Sequence, residues 1–361
     1  MKIKARLWQS LEKKQVKCNV CANECVINEG KIGICGTRKN INGELFSLIY
    51  GSLISQGSLD PIEKKPLYNF WPGAIAYSIA SIGCSFRCSN CQNWTISQAN
   101  PSEDGKTGHY ELEELKHREM RLIEMTPEQL VQRVLKSNAK TVAFTYNEPL
   151  IWHEWILDVT KLLKKKDLQT ILVTNGYSTP EASKELIQAG IDAANIDVKA
   201  MNDEFYRKVC GVRSVKPVLE TAKRFKSEGV HVEITNLIIP GLNDKKEDIQ
   251  KICHWIVVNL GKNTPTHFSA YHPDFKMPST ERTPFKTLDM AFKIAKEEGL
   301  YYPYIGNIRH DEGSNTYCPN CKHLLIGRSG YMFTSINICD DKKCPKCGHD
   351  LERDILGEIS G

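Results

Sequence analysis

The chain has 361 residues, 41% of them hydrophobic and 25% charged, with a formal net charge of +5. That length and apolar content suit one main domain of about 200 to 250 residues with small additions. The mild charge argues against a nucleic-acid partner, no stretch reaches the roughly 18 apolar residues of a membrane span, and the polar start Met1 to Ala5 lacks the apolar core of a signal peptide. The expected location is therefore cytoplasmic, and the basic run from Lys161 to Lys166 reads as a solvated helix end. Fourteen cysteines in a long chain without an export signal point to metal binding rather than disulfides. Eleven fall into three groups; Cys210 and Cys253 read as ordinary thiols, and Cys339 as a candidate spare ligand.

Three regions follow in chain order: residues 1–73, 74–312 and 313–361. The first carries Cys18, Cys21, Cys25 and Cys35, interrupted by Gly30, Gly33 and Gly36. Four thiolates so close in sequence describe a small knuckle that buries little core and is held by its metal. Zinc and an iron–sulfur cluster both accept four thiolates, and the sequence does not choose between them.

From 74 to 312, short β-rich runs alternate with longer amphipathic stretches. The strand candidates are Ile75–Ile82, Thr141–Tyr146, Thr170–Thr174, Ala193–Val198, Val230–Ile239, His267–Tyr271 and Tyr301–Ile305. Helical segments between them include Thr126–Ser137, Glu181–Ala189 ended by Gly190, Ser214–Glu228 ended by Gly229, and Lys246–Leu260 ended by Gly261. This alternation predicts an α/β fold, a partial or full (β/α) barrel rather than an open doubly wound sheet, because no G-x-G-x-x-G follows the first strand. The polar insertion from Trp94 to Met125 reads as a mobile loop with a short helix, a lid or a partner surface.

The tail from 313 to 361 holds Cys318, Cys321, Cys344 and Cys347 as two C-x2-C knuckles with Pro and Gly turns. Paired knuckles of this kind read as a zinc ribbon.

The most specific motif is Gly83-Cys84-Ser85-Phe86-Arg87-Cys88-Ser89-Asn90-Cys91. Its C-x3-C-x2-C spacing offers three thiolates to a [4Fe–4S] cluster and leaves one iron open to a small molecule. In a β/α barrel the site lies at the carboxyl ends of the strands. Those ends carry Thr145 to Pro149, Thr174 to Tyr177, Asp197 to Lys199, Glu233 with Thr235 and Asn236, His267 with Ser269 and Tyr271 to Pro273, and Gly306 with Asn307. Gly83 and Gly176 are expected to let backbone approach a ligand.

The cysteine window with Gln92, Asn93 and Trp94, the strand ends Thr145–Pro149, Thr174–Gly176 and Asp197–Lys199, and the run Tyr271–Met277 together resemble radical S-adenosylmethionine (SAM) enzymes related to pyruvate formate-lyase activating enzyme. The N-terminal cysteines, the segment Lys65–Gly73 and the C-terminal knuckles most resemble the AmmeMemoRadiSam system radical SAM enzyme, over nearly the whole chain. The resemblance implies that Cys84, Cys88 and Cys91 ligate the catalytic cluster. It implies that Glu148, preceded by Asn147, meets the SAM ammonium, and that Thr174, Asn175, Asp197, Lys199 and His272 stand at further positions around SAM. One departure is Asn90, where the superfamily usually has an aromatic residue near adenine; Phe86 and Trp94 are the candidates to compensate.

The implied activity is reductive cleavage of SAM to methionine and a 5′-deoxyadenosyl radical that abstracts hydrogen from a substrate. A ferredoxin or flavodoxin is the expected reductant, and AMMECR1-like and Memo-like proteins are candidate partners. Two other functions compete: an activase that takes hydrogen from a glycine on another protein, and a metal-stabilised module that binds nucleic acid or protein.

Overall fold

The computed structural model describes residues 1–101, 107–109, 121–310 and 312–359. Its centre is one eight-stranded sheet with strands in chain order: β1 (Ser58–Pro61), β2 (Ile75–Ile79), β3 (Thr141–Phe144), β4 (Gln169–Thr174), β5 (Ala193–Asp197), β6 (His231–Ile238), β7 (Thr266–Ala270) and β8 (Pro303–Gly306). Neighbours from β2 to β8 are parallel, while β1 runs antiparallel to β2. Among the described residues β1 and β8 each stand at an edge, so the barrel is partial.

Helices α1 (Pro127–Ser137), α2 (His153–Lys164), α3 (Pro180–Ala189), α4 (Lys216–Ser227), α5 (Lys246–Asn259) and α6 (Phe285–Glu297) supply the crossovers. Their starts and stops follow local chemistry. Thr126 forms a capping box with Gln129 at the start of α1, and Thr179 caps α3, which Gly190 ends in a left-handed turn. The outer faces of the strands, including Ile79, Val142, Phe144, Leu172, Ile196 and Ile234, pack against these helices in one large core. Their inner faces are buried as well, which is why the strands read as nearly unbroken apolar runs.

What fills the inside is the segment between β1 and β2. Ile62, Leu67 and Phe70 pack against Ala76, Ala143, Ile171 and Ala193. Residues 58–72, assigned by the sequence reading to the N-terminal region, thus belong to the barrel's sheet and its interior. Glu233 of β6 anchors the filling: its carboxylate accepts from Tyr68 N at 3.0 Å, Asn69 N at 2.8 Å, His231 at 3.0 Å and His267 at 2.6 Å. Burial opposes its charge, yet these donors and the two imidazoles hold Glu233 down at about 2.

Ahead of the barrel, two small antiparallel sheets and a core of Ala5, Val16, Cys18, Val20, Ile27 and Leu45 form the N-terminal region. Behind it, a three-stranded antiparallel sheet carries the C-terminal cysteines. Of the insertion from Trp94 to Met125, a short helix Trp94–Ser97 is present, while residues 102–106 and 110–120 lie outside the described residues. Among the described residues no helix is long and apolar enough to cross a membrane.

Candidate active site

β2 runs out into the cysteine loop, and the loop is clamped on three sides. Asn147, just beyond β3, donates from Nδ2 to Gly83 O at 3.0 Å and accepts at Oδ1 from Ser81 N at 3.3 Å. Arg87 N and Ser89 N donate to Cys210 O and Val209 O, both at 2.9 Å, at the end of a π-helical turn, Tyr206–Cys210, a form that recurs at functional sites. Lys276 N donates to Ser89 O at 3.1 Å. Gly83 has φ +84°, and a Cβ there would meet Cys35 O at 2.5 Å and Thr37 Cγ2 at 2.6 Å. At Gly176 it would meet Ile196 Cγ2 at 2.8 Å. Both glycines are therefore required by the protein's own packing.

Cys84, Cys88 and Cys91 line a cavity of about 320 Å3 at the carboxyl ends of the strands, with Asn147, Glu148, Thr174, Asn175, Asp197 and Lys199. Thr235, Ser269 and Asn307 close its far side. Glu233 and His267, also among the strand-end candidates, lie instead against Tyr68 and Asn69.

Glu148 ties strands together as well as facing the cavity. Its oxygens accept from Leu150 N at 2.9 Å, Thr174 Oγ1 at 2.7 Å and Asn175 N at 2.7 Å. An ionised carboxylate has about four acceptor positions, so room remains for one more donor. Burial pushes Glu148 up to about 7 despite those bonds. Asn175 Nδ2 donates to Ser85 Oγ at 3.0 Å and lies 3.8 Å from Cys84 Sγ. Lys199 Nζ pairs with Asp197 Oδ2 at 2.8 Å. Burial works against the lysine's charge, but Asp197 and the neighbouring Cys88 and Cys210 hold its pKa well above the ordinary value. A cation is thus fixed beside the thiols that would carry the cluster's negative charge.

Burial pushes the Cys84 thiol up, and Glu148 adds to it; the neighbouring Cys210 thiol and burial push Cys88 up. Cys210, buried, meets the cysteine loop through its carbonyl, which accepts from Arg87 N. Cys91 Sγ lies 3.2 Å from Ser97 Oγ.

His272 is not brought to this cavity. It lines an adjoining one of about 640 Å3 that shares Gln92 and Asn307 with the first and is bounded by Arg309 and by Ser329–Tyr331 of the C-terminal sheet. Trp94 does not line the cluster cavity; it stacks on Phe275 at 5.2 Å and donates to Asp274. Phe86 does line it, its ring held edge-on to Tyr177 and Tyr206. Lys64, reaching in from the barrel filling, also lines it. No motif signals that residue, because its position depends on residues 58–72 entering the barrel.

The donor set fits a cluster with a polar ligand. Three thiols share the wall with an acceptor, a cation and amides, and Asn90 Oδ1, Gln92 Nε2 and Thr235 Oγ1 are buried there without a hydrogen-bond partner among the described residues. Such unpaired groups cost free energy unless a bound molecule meets them.

Two further groups of cysteine lie outside that cavity. Cys18, Cys21, Cys25 and Cys35 surround a small enclosed cavity. The sulfurs of Cys318, Cys321, Cys344 and Cys347 all lie within 4.8 Å of one another, and Cys339 is exposed outside that set.

The model of a protein family described as the radical SAM superfamily matches residues 78–256. An uncharacterized protein of Methanocaldococcus jannaschii is 42% identical over 349 residues, spanning 96% of this chain and 98% of that one. The pyruvate formate-lyase-activating enzyme of Clostridium pasteurianum is 27% identical over 199 residues, 53% of this chain and 72% of the relative. A solved domain of a pyruvate-formate lyase-activating enzyme from Bacteroides vulgatus aligns with TM-score 0.41 and 19% identity, covering 46% of this chain and 98% of that one.

Proposed function

Because residues 78–256 match the radical SAM superfamily, whose members are enzymes, we propose that the chain binds SAM in the cavity at Cys84, Cys88 and Cys91 and cleaves it reductively. When bound there, a reduced [4Fe–4S] cluster and SAM supply a 5′-deoxyadenosyl radical for hydrogen abstraction from a substrate. The observation that carries this reading is the convergence of the three thiols with Glu148, Asn175, Asp197 and Lys199 around one cavity.

The chain's own residues have distinct tasks. Glu148 receives the methionine ammonium at its remaining acceptor position, and Lys199 meets carboxylate charge. Asn147 fixes the cysteine loop through Gly83 O and Ser81 N, and so acts as a positioning residue. Thr174 orients Glu148. Asn175 links the loop to β4 through Ser85, and Gln92 and Thr235 offer unpaired polar atoms to the ligand. The substrate enters through the adjoining cavity, where His272 and Arg309 face it. Cys318, Cys321, Cys344 and Cys347 hold zinc, a reading supported by sulfur separations of 3.7 and 3.6 Å.

Within the superfamily, the AmmeMemoRadiSam group is supported by the N-terminal cysteines, the segment Lys65–Gly73 and the C-terminal knuckles. AMMECR1-like and Memo-like proteins are then the partners to test, with ferredoxin or flavodoxin as reductant in the cytoplasm. A second reading, an activase acting on a glycine of a partner protein, is favoured by the similarity to the Clostridium pasteurianum activating enzyme.

The test is 5′-deoxyadenosine release from SAM by the anaerobically reconstituted protein under a strong one-electron reductant. Cys88→Ala is expected to abolish release and lower bound iron while the circular dichroism spectrum is kept. Undiminished release by that variant would remove the cluster assignment.

A further inference from the structure

The two four-cysteine groups differ in span. At the C-terminus the separations of 3.7 and 3.6 Å match the ~3.8 Å that sulfurs about 2.3 Å from one tetrahedral zinc must keep. Among the described residues, no other group of three or more Cys, His, Asp or Glu brings its ligand atoms within 4.8 Å of one another. Yet Cys18, Cys21, Cys25 and Cys35 all face one enclosed cavity. Four sulfurs framing a common space, but spread too widely for one zinc, suit the larger cube of a [4Fe–4S] cluster, whose corner irons hold the thiolates apart.

A second observation concerns Arg38, which is 1% exposed and forms part of the cavity wall. Its terminal nitrogens donate to Glu154 at 2.9 and 2.7 Å and to Ile151 O at 3.1 Å, but Nε is buried without a partner among the described residues. A fixed cation with a spare N–H beside four thiols is suited to an anionic cluster, whose sulfurs accept hydrogen bonds.

The third observation is position. Cys35 O packs against Gly83, the residue before Cys84, so closely that no Cβ fits between them. Asn23 Nδ2 donates to Ser85 O at 2.7 Å, and Arg87 donates to Ile34 O. The loops of the two cysteine groups are therefore in direct backbone contact. Cys25 is only partly buried and Ile34 is 48% exposed, so the N-terminal group lies between solvent and the candidate active site.

We propose that Cys18, Cys21, Cys25 and Cys35 hold a second [4Fe–4S] cluster, which relays electrons from a protein reductant to the cluster at Cys84, Cys88 and Cys91 across the Cys35–Gly83 contact. The relay rests on the reductive chemistry proposed above; the second cluster itself does not. One electron leaves reduced flavodoxin or ferredoxin and reduces the second cluster. Its onward transfer reoxidises that cluster and reduces the first, with no atom or bond exchanged.

The test uses two variants of the full chain, reconstituted anaerobically. The triple variant Cys84→Ala, Cys88→Ala, Cys91→Ala is expected to retain about four iron and about four sulfide per chain, to show a cluster signal by electron paramagnetic resonance on reduction, and to be reduced by flavodoxin. Iron-free protein carrying zinc at both four-cysteine groups overturns the second cluster, and a retained cluster that flavodoxin cannot reduce overturns the relay. In Cys18→Ala, Cys21→Ala, cleavage of SAM driven by dithionite is expected to persist, while cleavage driven by flavodoxin falls at least about tenfold. Equal rates with flavodoxin in variant and wild type overturn the relay. If that double variant does not fold, the triple variant's metal content and flavodoxin reduction still decide. Wild-type protein that cleaves no SAM with either reductant counts against the proposed function, and those same two measurements on the triple variant decide the inference by themselves.

Discussion

Gly83 stands where a single added carbon would push the N-terminal region off the cysteine loop. Gly83→Ala is expected to combine the roughly 1–2 kcal/mol of a left-handed φ with a clash against Cys35 O at 2.5 Å, and so to lower both thermal stability and bound iron. Gly30→Ala is the control: φ is +76° there, but nothing among the described residues lies within 4 Å of the added Cβ, so only the same backbone cost of roughly 1–2 kcal/mol remains and iron content is kept. Thermal melts and iron assays on the two variants separate these effects. Glu148→Ala is expected to weaken SAM binding, measured by equilibrium dialysis, and also to lower the melting temperature. It strips the acceptor from Leu150 N and Asn175 N, at about 1–3 kcal/mol for each buried donor left unpaired. At this scale the cysteine spacing was legible because ligands of one cluster sit close in the chain. The positions of His272 and Trp94 were not, since spacing along the chain does not say which way a side chain turns beyond the end of a strand. His272 leaves the cluster cavity for its neighbour, and Trp94 commits itself to Phe275.

Strands β2 to β8 were readable as apolar runs between turns, α1 from its Thr-Pro start and α3 from the glycine that ends it. β1 and its pairing with β2 were not, because Ser58–Pro61 is too short and polar to register as a strand; nor was α6, whose N-terminus has no side-chain cap. The segment from β1 to β2 was hardest to place, since its apolar residues find their partners on strands far along the chain. Its anchor gives a pH prediction. Glu233 is held at about 2, below the ~4.3 of an unfolded glutamate. Its contribution is therefore fully present above about pH 4.3 and is lost as pH falls toward 2, on the order of 3 kcal/mol in all. Glu233→Gln is expected to lower the urea midpoint at pH 6, with the gap from wild type narrowing as pH falls through that window. Metal-free samples of both proteins make the comparison, and a gap that is constant with pH would contradict the assignment.

The barrel and the C-terminal region meet at one strip of chain, residues 68–71. Tyr68 and Asn69 face Glu233 on one side. On the other, Arg328 donates to Tyr68 O at 2.9 Å, Asn69 donates to Asp354 O at 2.9 Å, and Trp71 N donates to Leu356 O at 2.7 Å. Replacing Cys318 and Cys321 by Ser is accordingly expected to remove zinc, measured by elemental analysis, and to lower the melting temperature of the whole protein rather than of the tail alone. A separate low-temperature transition with an unchanged main one would show that the tail is dispensable. The paired knuckles were visible in the sequence; their hold on the barrel was not, because it runs through residues 68–71. The same strip bears on how the chain is made. Tyr68 and Glu233 are 165 residues apart, so at about 5–20 residues per second a ribosome needs roughly 10–30 s to deliver the second after the first. For that interval Leu67, Phe70 and Trp71 have no barrel to enter. Slower initiation, which spaces nascent chains apart, should therefore raise the yield of native protein.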